Sequence, residues 1–322
     1  MLQFAFVVCA LLTLVPVVTS PVALGAGLTF GLLFANPFPK QSAKAAKMLL
    51  QIAVVGLGFS VPLLEVWKAT SSGFFIALGT IAGTLALGLF LARILKVSAK
   101  VGTLISFGTA ICGGSAIAAL APVLKASSDE IAISLAVVFT LNAVALFLFP
   151  ALGHALHFNP TQFGLWAALA IHDTSSVVGA ASAFSPASLP IATTIKRSRA
   201  IWILPFVALF AWRSASQAKS NGAQNEQSQS AKAPFPWFIV YFLAAASVRT
   251  FLGAQFPQSL YMFGILATSA RQVLCLVLFL IGAAVNRDAI RNAGWAPFAQ
   301  AVVLWICVSV TTAFGISFLG WS

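Results

Sequence analysis

Gly108-Thr109-Ala110-Ile111-Cys112-Gly113-Gly114-Ser115-Ala116-Ile117-Ala118-Ala119-Leu120-Ala121-Pro122-Val123-Leu124-Lys125 lies inside a very apolar chain. Gly113-Gly114-Ser115 would interrupt a helix at about membrane depth. Each glycine costs roughly 1 kcal/mol relative to alanine in a helix interior. Two in succession, followed by serine, favour local unwinding. In lipid, unwound backbone is tolerated only where protein or a water-filled cavity receives its polar groups. Interrupted helices of this kind form midplane substrate sites in transporters. A Gly/Ala-rich helix whose small residues permit close packing is the competing reading.

The surrounding composition decides the class. The 322 residues are 60% hydrophobic and only 7% charged, with a mean hydropathy of +0.99. That is the composition of an all-α integral membrane protein. The net charge of +12 does not suggest nucleic-acid binding, because the basic residues sit at the ends of apolar runs and form no stripe. The partners expected are the lipid bilayer and a small solute. Cys9, Cys112, Cys275 and Cys307 lie within apolar runs without paired spacing, so they read as small buried hydrophobes. The chain begins Leu2-Gln3-Phe4 without a basic segment, which predicts a first span over 1–18 in place of a cleaved signal.

Apolar runs of about 20 residues divide the chain into about eleven transmembrane helices. Two of them, near 108–125 and 164–185, are expected to be broken. The division predicts an N-terminal membrane part over 1–212, a polar linker over 213–236 and C-terminal membrane helices over 237–322. Between Ala200 and Trp212 there are too few residues to cross about 30 Å at 1.5 Å per residue. That helix must start near Leu189, which draws Lys196, Arg197 and Arg199 towards the membrane. Lys40, Lys44, Arg93, Lys96, Lys100 and Arg213 fall on one side and place the N-terminus in the cytoplasm. A short internal similarity, Gly58–Val66 against Gly282–Ile290, lies on helices of opposite direction and suggests an inverted repeat.

Few residues can carry chemistry. Asp173 is the only acid well inside a span, and such a charge is retained for a partner or an ion path. With His172 beside it, it is the candidate ion-coupling group, for H+ or Na+; a structural pair with Lys196 or Arg199 is the alternative. Thr174, Ser175 and Ser176 add hydroxyls, and Gly179 would allow unwinding. Hydroxyls and freed N–H groups suit an oxyanion. Lys196 and Arg199, about one turn apart, are the candidate attractors for that anion. Arg197 can reach the interface by snorkelling. Arg271, near the middle of a later span, is a second basic candidate. Asn142, Gln51 and Ser106 read as helix-packing contacts. No Walker A loop, HExxH, nucleophile elbow or CxxC is present, so an enzyme is not expected. No cofactor or metal is expected, apart from a coupling Na+ or H+.

The stretch 108–119 resembles the signature of the YeiH-like sulfate exporter family. Phe163-Gly164-Leu165-Trp166, His172-Asp173 with Val177-Val178-Gly179-Ala180, the Lys196/Arg199 pair and Pro234–Phe238 are similar to further motifs of that family. Many members have glutamine where Ser176 stands and glutamate where Asp173 stands. The family's helix pattern is similar to that of bile acid–sodium symporters and sodium–proton antiporters. The resemblance implies a panel domain, a core domain in which two broken helices cross, and elevator-like movement.

The expectation is a secondary active transporter of a small anion in the bacterial inner membrane. Its substrate site would comprise Cys112, Gly113, Gly114, Ser115, Thr174, Ser175, Ser176, Lys196 and Arg199, with unwound segments at 112–115 and 174–179. A homodimer is an open possibility. The alternatives are a cation–proton antiporter using Asp173 and a membrane sensor or scaffold; the lack of a soluble domain in these residues argues against the last.

Overall fold

The computed structural model describes residues 1–34, 36–60, 63–222, 237–284 and 294–318. The regular elements among the described residues are all helices. In chain order they form α1 (Leu2–Leu12), α2 (Ser20–Phe34), α3 (Pro39–Leu57) with a 3-10 turn at Gly58–Ser60, α4 (Leu63–Ile94), α5 (Ala99–Ala110), α6 (Gly114–Leu120), α7 (Ser128–Ala155), α8 (Pro160–Ala170), α9 (Thr174–Phe184), α10 (Ser188–Ala200), α11 (Ile203–Gly222), α12 (Trp237–Gln255), α13 (Ser259–Ala283) and α14 (Ala296–Phe318). Among the described residues, five segments are long and apolar enough to cross a membrane: Pro39–Ser60, Ala77–Ile94, Ser128–Ala155, Ser259–Ala283 and Ala296–Phe318.

Several spans read from the sequence are therefore not single long helices. The run 102–124 is α5 and α6, the run 162–184 is α8 and α9, and the helix expected from Leu189 is α10 followed by α11. At the N-terminus, α1 stops at Leu12 and α2 covers 15 residues. Helix α11 continues to Gly222, ten residues beyond Trp212, where the polar linker was expected to begin. The rest of that linker, 223–236, lies outside the described residues, as do 234–236 of the Pro234–Phe238 motif and most of the second half of the internal similarity.

Local chemistry explains the helix starts. At α7 the Ser127 hydroxyl accepts from the Glu130 N–H at 3.2 Å, and the Glu130 carboxylate accepts from the Ser127 N–H at 2.8 Å. This reciprocal cap satisfies two orphan donors. Asn159 and Gln162 make the same arrangement at α8, with Pro160 in the first helical position.

The helices gather around two apolar clusters. In the first, α13 lies along α2 and α3. Phe6, Phe30 and Phe279 meet there. Gly31 and Gly282 let the backbones touch, because a Cβ on either would stand 2.7 Å from a carbonyl oxygen, of Ala283 and Leu24 respectively. Small residues of this kind are how helices approach in lipid. The second cluster joins α5, α7, α8, α9, α10 and α14. Phe149 stacks on Trp166 at 4.3 Å and lies 5.8 Å from Trp305. The last two helices thus divide between the clusters, α13 to the first and α14 to the second. The N- and C-terminal membrane parts drawn along the sequence interleave in space.

Candidate functional site

Two helix interruptions meet, the first among residues of the first cluster and the second among residues of the second. At the first, α5 stops at Ala110 and α6 starts at Gly114. Ile111 leaves the helical region, and Gly113 takes φ +66°, a left-handed conformation open to glycine at little cost. The Gly113 N–H turns back to the Gly108 carbonyl at 2.8 Å. At the second, α8 stops at Ala170, Ile171 is extended, and α9 starts at Thr174. The two touch: a Cβ on Gly113 would lie 3.4 Å from the carbonyl carbon of His172 and from the Asp173 nitrogen.

The non-helical residues are therefore 111–113 and 171–173, whereas 112–115 and 174–179 were expected. Gly114 and Ser115 already belong to α6, and 174–179 to α9. The displacement has a physical cause at each site. Gly113 supplies the one left-handed residue the first turn needs, and Gly114 makes room for the Phe139 ring, 2.7 Å from where its Cβ would stand. Gly179 serves as a packing site against Leu146 of α7.

A helix end leaves four carbonyls without helical partners. At the end of α8, side chains from two other helices receive all of them. Lys196 Nζ donates to the Ile171 carbonyl at 2.6 Å and to Ala168 at 3.4 Å. Arg199 Nη1 donates to Leu169 at 2.8 Å. Trp305 Nε1 donates to Ala170 at 3.2 Å. Arg199 Nη2 also donates to Ala110, at the end of α5. One guanidinium therefore bridges the ends of both interrupted helices. Positive side chains at helix C-termini also oppose a partial charge of roughly −0.5 at each.

The freed N–H groups are received from α7. Asn142 Oδ1 accepts from the His172 N–H at 3.1 Å and from the Asp173 N–H at 3.2 Å. Lys196, Arg199, His172 and Asn142 are each 1% exposed. Some polar atoms at this crossing have no hydrogen-bond partner among the described residues: Asn142 Nδ2, both ring nitrogens of His172, Arg199 Nε and Thr109 Oγ1. The carbonyls released at the end of α8 are occupied; of the unpartnered atoms, Asn142 Nδ2 and Arg199 Nε can only donate, whereas a neutral His172 ring and the Thr109 hydroxyl can each donate and accept.

The crossing reaches the surface at one edge. Asp173 and Ser176 are half-buried and Thr174 is exposed; Ser115 is half-buried and Cys112 buried. Ser175 belongs to α9, but its side chain lies outside the described residues. The structure thus brings Cys112, Gly113, His172, Asp173, Lys196 and Arg199 to one crossing. Lys196 and Arg199 share a face, as their spacing predicts, but their donors are directed at backbone carbonyls. Arg197 is exposed on α10, and Arg271 is exposed on α13. Ser106 is a packing contact, held with the buried Gln300 between α4, α5 and α14. No cluster of three or more metal-ligating side chains is present among the described residues.

Sequence reasoning assigned Asn142 to helix packing and did not single out Trp305. Trp305 carries a signal that could have been read. Tryptophan in spans favours the interfaces, and one at mid-span needs an internal acceptor for its N–H.

Comparison with known proteins places the chain among membrane proteins. The model of a family described as conserved hypothetical protein 698 matches residues 4–301. A UPF0324 membrane protein of Geobacter sulfurreducens is 46% identical over 317 residues, covering 98% of this chain and 96% of its own. A UPF0324 membrane protein of Bacteroides thetaiotaomicron is 43% identical over 305 residues, covering 94% and 87%. One of Vibrio parahaemolyticus is 41% identical over 310 residues, covering 95% and 96%. No solved structure matches.

Proposed function

The chain belongs to the conserved hypothetical protein 698 family of membrane proteins, and on that premise we propose that it is a secondary transporter of a small anion. The carrying observation is that the carbonyls released at the end of α8 are occupied, while buried groups that can only donate, Asn142 Nδ2 and Arg199 Nε, are left over beside them. Charge points the same way. Two buried cations, Lys196 and Arg199, stand with one acid, Asp173. The partial charges of two helix C-termini and two N-termini cancel to about zero. The side chains leave roughly one positive charge uncompensated, which is costly in a low-dielectric site. A small oxyanion supplies both the missing negative charge and the missing acceptors.

In this reading the anion enters past Asp173 and Thr174 and lies against the first turn of α9. Lys196 and Arg199 act at one remove: they hold the helix ends and supply charge, and are not direct ligands. Asp173, beside the entry, is the coupling group. Its carboxylate repels an anion, and binding of H+ or Na+ there removes the repulsion. Joint movement of solute and cation follows. Eleven passes, an inverted-repeat architecture, elevator-like movement and residence in a bacterial inner membrane belong to the same proposal. So does sulfate or a sulfonate as the solute.

The test is the thermal stability of the detergent-purified protein against sulfate, sulfite, methanesulfonate, chloride and sodium, for the wild type and Asp173→Asn. A ligand at about 100 times its Kd stabilises by roughly 2.7 kcal/mol. One oxyanion is expected to raise the melting temperature of both proteins, with pH or sodium dependence only in the wild type. If no anion acts, and sodium or pH alone shifts melting through Asp173, the protein is a cation–proton antiporter.

A further inference from the structure

Building on the anion-transport reading, we infer that Asn142 and His172 form the direct oxyanion-binding pair, with Asn142 fixing the sign of the charge the site accepts. Asn142 Oδ1 accepts from two backbone N–H groups, of His172 and Asp173. Two donors converge on that atom, so it is the oxygen, and the amide cannot turn over without opposing N–H to NH2. The orientation is locked by the interrupted backbone. Nδ2, buried and without a protein partner, can therefore present only donors.

An amide free to rotate can turn its oxygen towards a cation or its nitrogen towards an anion. Asn142 has lost that choice, and both sites on its oxygen are occupied. The pair is completed by the His172 ring, which is attached to the backbone that Asn142 holds. Both ring nitrogens are buried without partners, and the ring centroid lies 6.5 Å from that of Trp305. A neutral imidazole brings one N–H donor, and an imidazolium two. Amide and imidazole N–H groups together suit a compact, multi-oxygen acceptor such as sulfate or a sulfonate.

A purely structural role for Asn142 is separable by one isosteric change. Asn142→Asp keeps an oxygen for both backbone N–H groups, so the pin survives. It replaces the donor with an acceptor of negative charge. His172→Phe removes both ring nitrogens and keeps a ring beside Trp305, so a folded, equally stable protein is expected. The experiment measures stabilisation by sulfate and by methanesulfonate of the purified full-length protein, with Kd from the concentration dependence of melting. The expected result is a wild type stabilised by at least one of the two. Affinity should fall at least tenfold in His172→Phe and become undetectable in Asn142→Asp, with melting in the absence of anion close to wild type for His172→Phe. If the wild type responds and both variants bind with unchanged Kd, the pair is not the anion site, while anion transport stands. If His172→Phe alone keeps its affinity, the imidazole is not a ligand and the inference fails in that half. If Asn142→Asp does not fold, the His172→Phe result decides. If neither anion stabilises the wild type, the transport reading and the pair fall together.

Discussion

Arg199 provides the sharpest test of how the crossing is held. Its guanidinium donates through one nitrogen to Leu169 at the end of α8 and through the other to Ala110 at the end of α5. The perturbation to make is Arg199→Lys. An ammonium keeps the charge but presents its donors from a point, so it serves one helix end and abandons the other. Removing the charge as well would confuse the result, because losing a buried cation also removes its desolvation penalty. A hydrogen bond to a charged group contributes about 1.5–3 kcal/mol, and a buried carbonyl left without a partner costs a similar amount. These are two descriptions of one loss and are not added. The expected destabilisation is therefore about 2 kcal/mol.

The assay is amide hydrogen exchange in detergent, read at residues 107–117 and 167–177. With about 1.4 kcal/mol per tenfold, 2 kcal/mol of local opening accelerates exchange about 30-fold. The acceleration should appear at both interruptions together, because one side chain joins them. Exchange unchanged within about twofold at both would refute the bridge. Acceleration at one interruption alone would show that they open independently.

Two further outcomes follow from the same geometry. Gly113→Ala places a Cβ on a residue at φ +66° and within 3.4 Å of the His172–Asp173 backbone; left-handed strain alone costs about 1–2 kcal/mol, so a lower melting temperature and weakened anion stabilisation are expected, and unchanged values for both would show that the crossing relaxes freely. Trp305→Phe removes the donor to the Ala170 carbonyl and keeps most of the ring, so a loss of about 1–3 kcal/mol is expected in detergent unfolding followed by the remaining tryptophans; no loss would mean that another group takes over that carbonyl.

Much of the fold was legible in the chain. The apolar runs, each near membrane length, announced a helical membrane protein because no water is available in lipid to satisfy an open backbone. The reciprocal caps of Ser127 with Glu130 and of Asn159 with Gln162, which fix two helix starts, were not singled out in the sequence. The shortage of residues before Trp212 required a helix beginning near Leu189, and that helix carries Lys196 and Arg199 into the interior. The glycine pair at 113–114 marked one place where a helix stops; for the other, unwinding was expected over 174–179 through Gly179, and the break falls at 171–173. Their limits were misplaced by a few residues. A glycine reveals that a helix can stop nearby, but partners elsewhere in the chain decide which peptide is released.

What the residues of one segment could not express is where their hydrogen bonds go. Asn142 lies 30 residues before His172, Arg199 lies 89 residues after Ala110, and Trp305 lies 135 residues after Ala170. Each side chain, taken alone, is a polar group in an apolar helix, equally suited to packing, to ligand binding or to capping. Local sequence thus determined the solvent, the secondary structure and the few polar residues that lipid does not tolerate unpartnered. Tertiary structure decided the role of each, because a buried donor is defined by the acceptor it reaches. In this protein those acceptors are backbone carbonyls released at a distance, once two interrupted helices are brought together at Gly113 and His172.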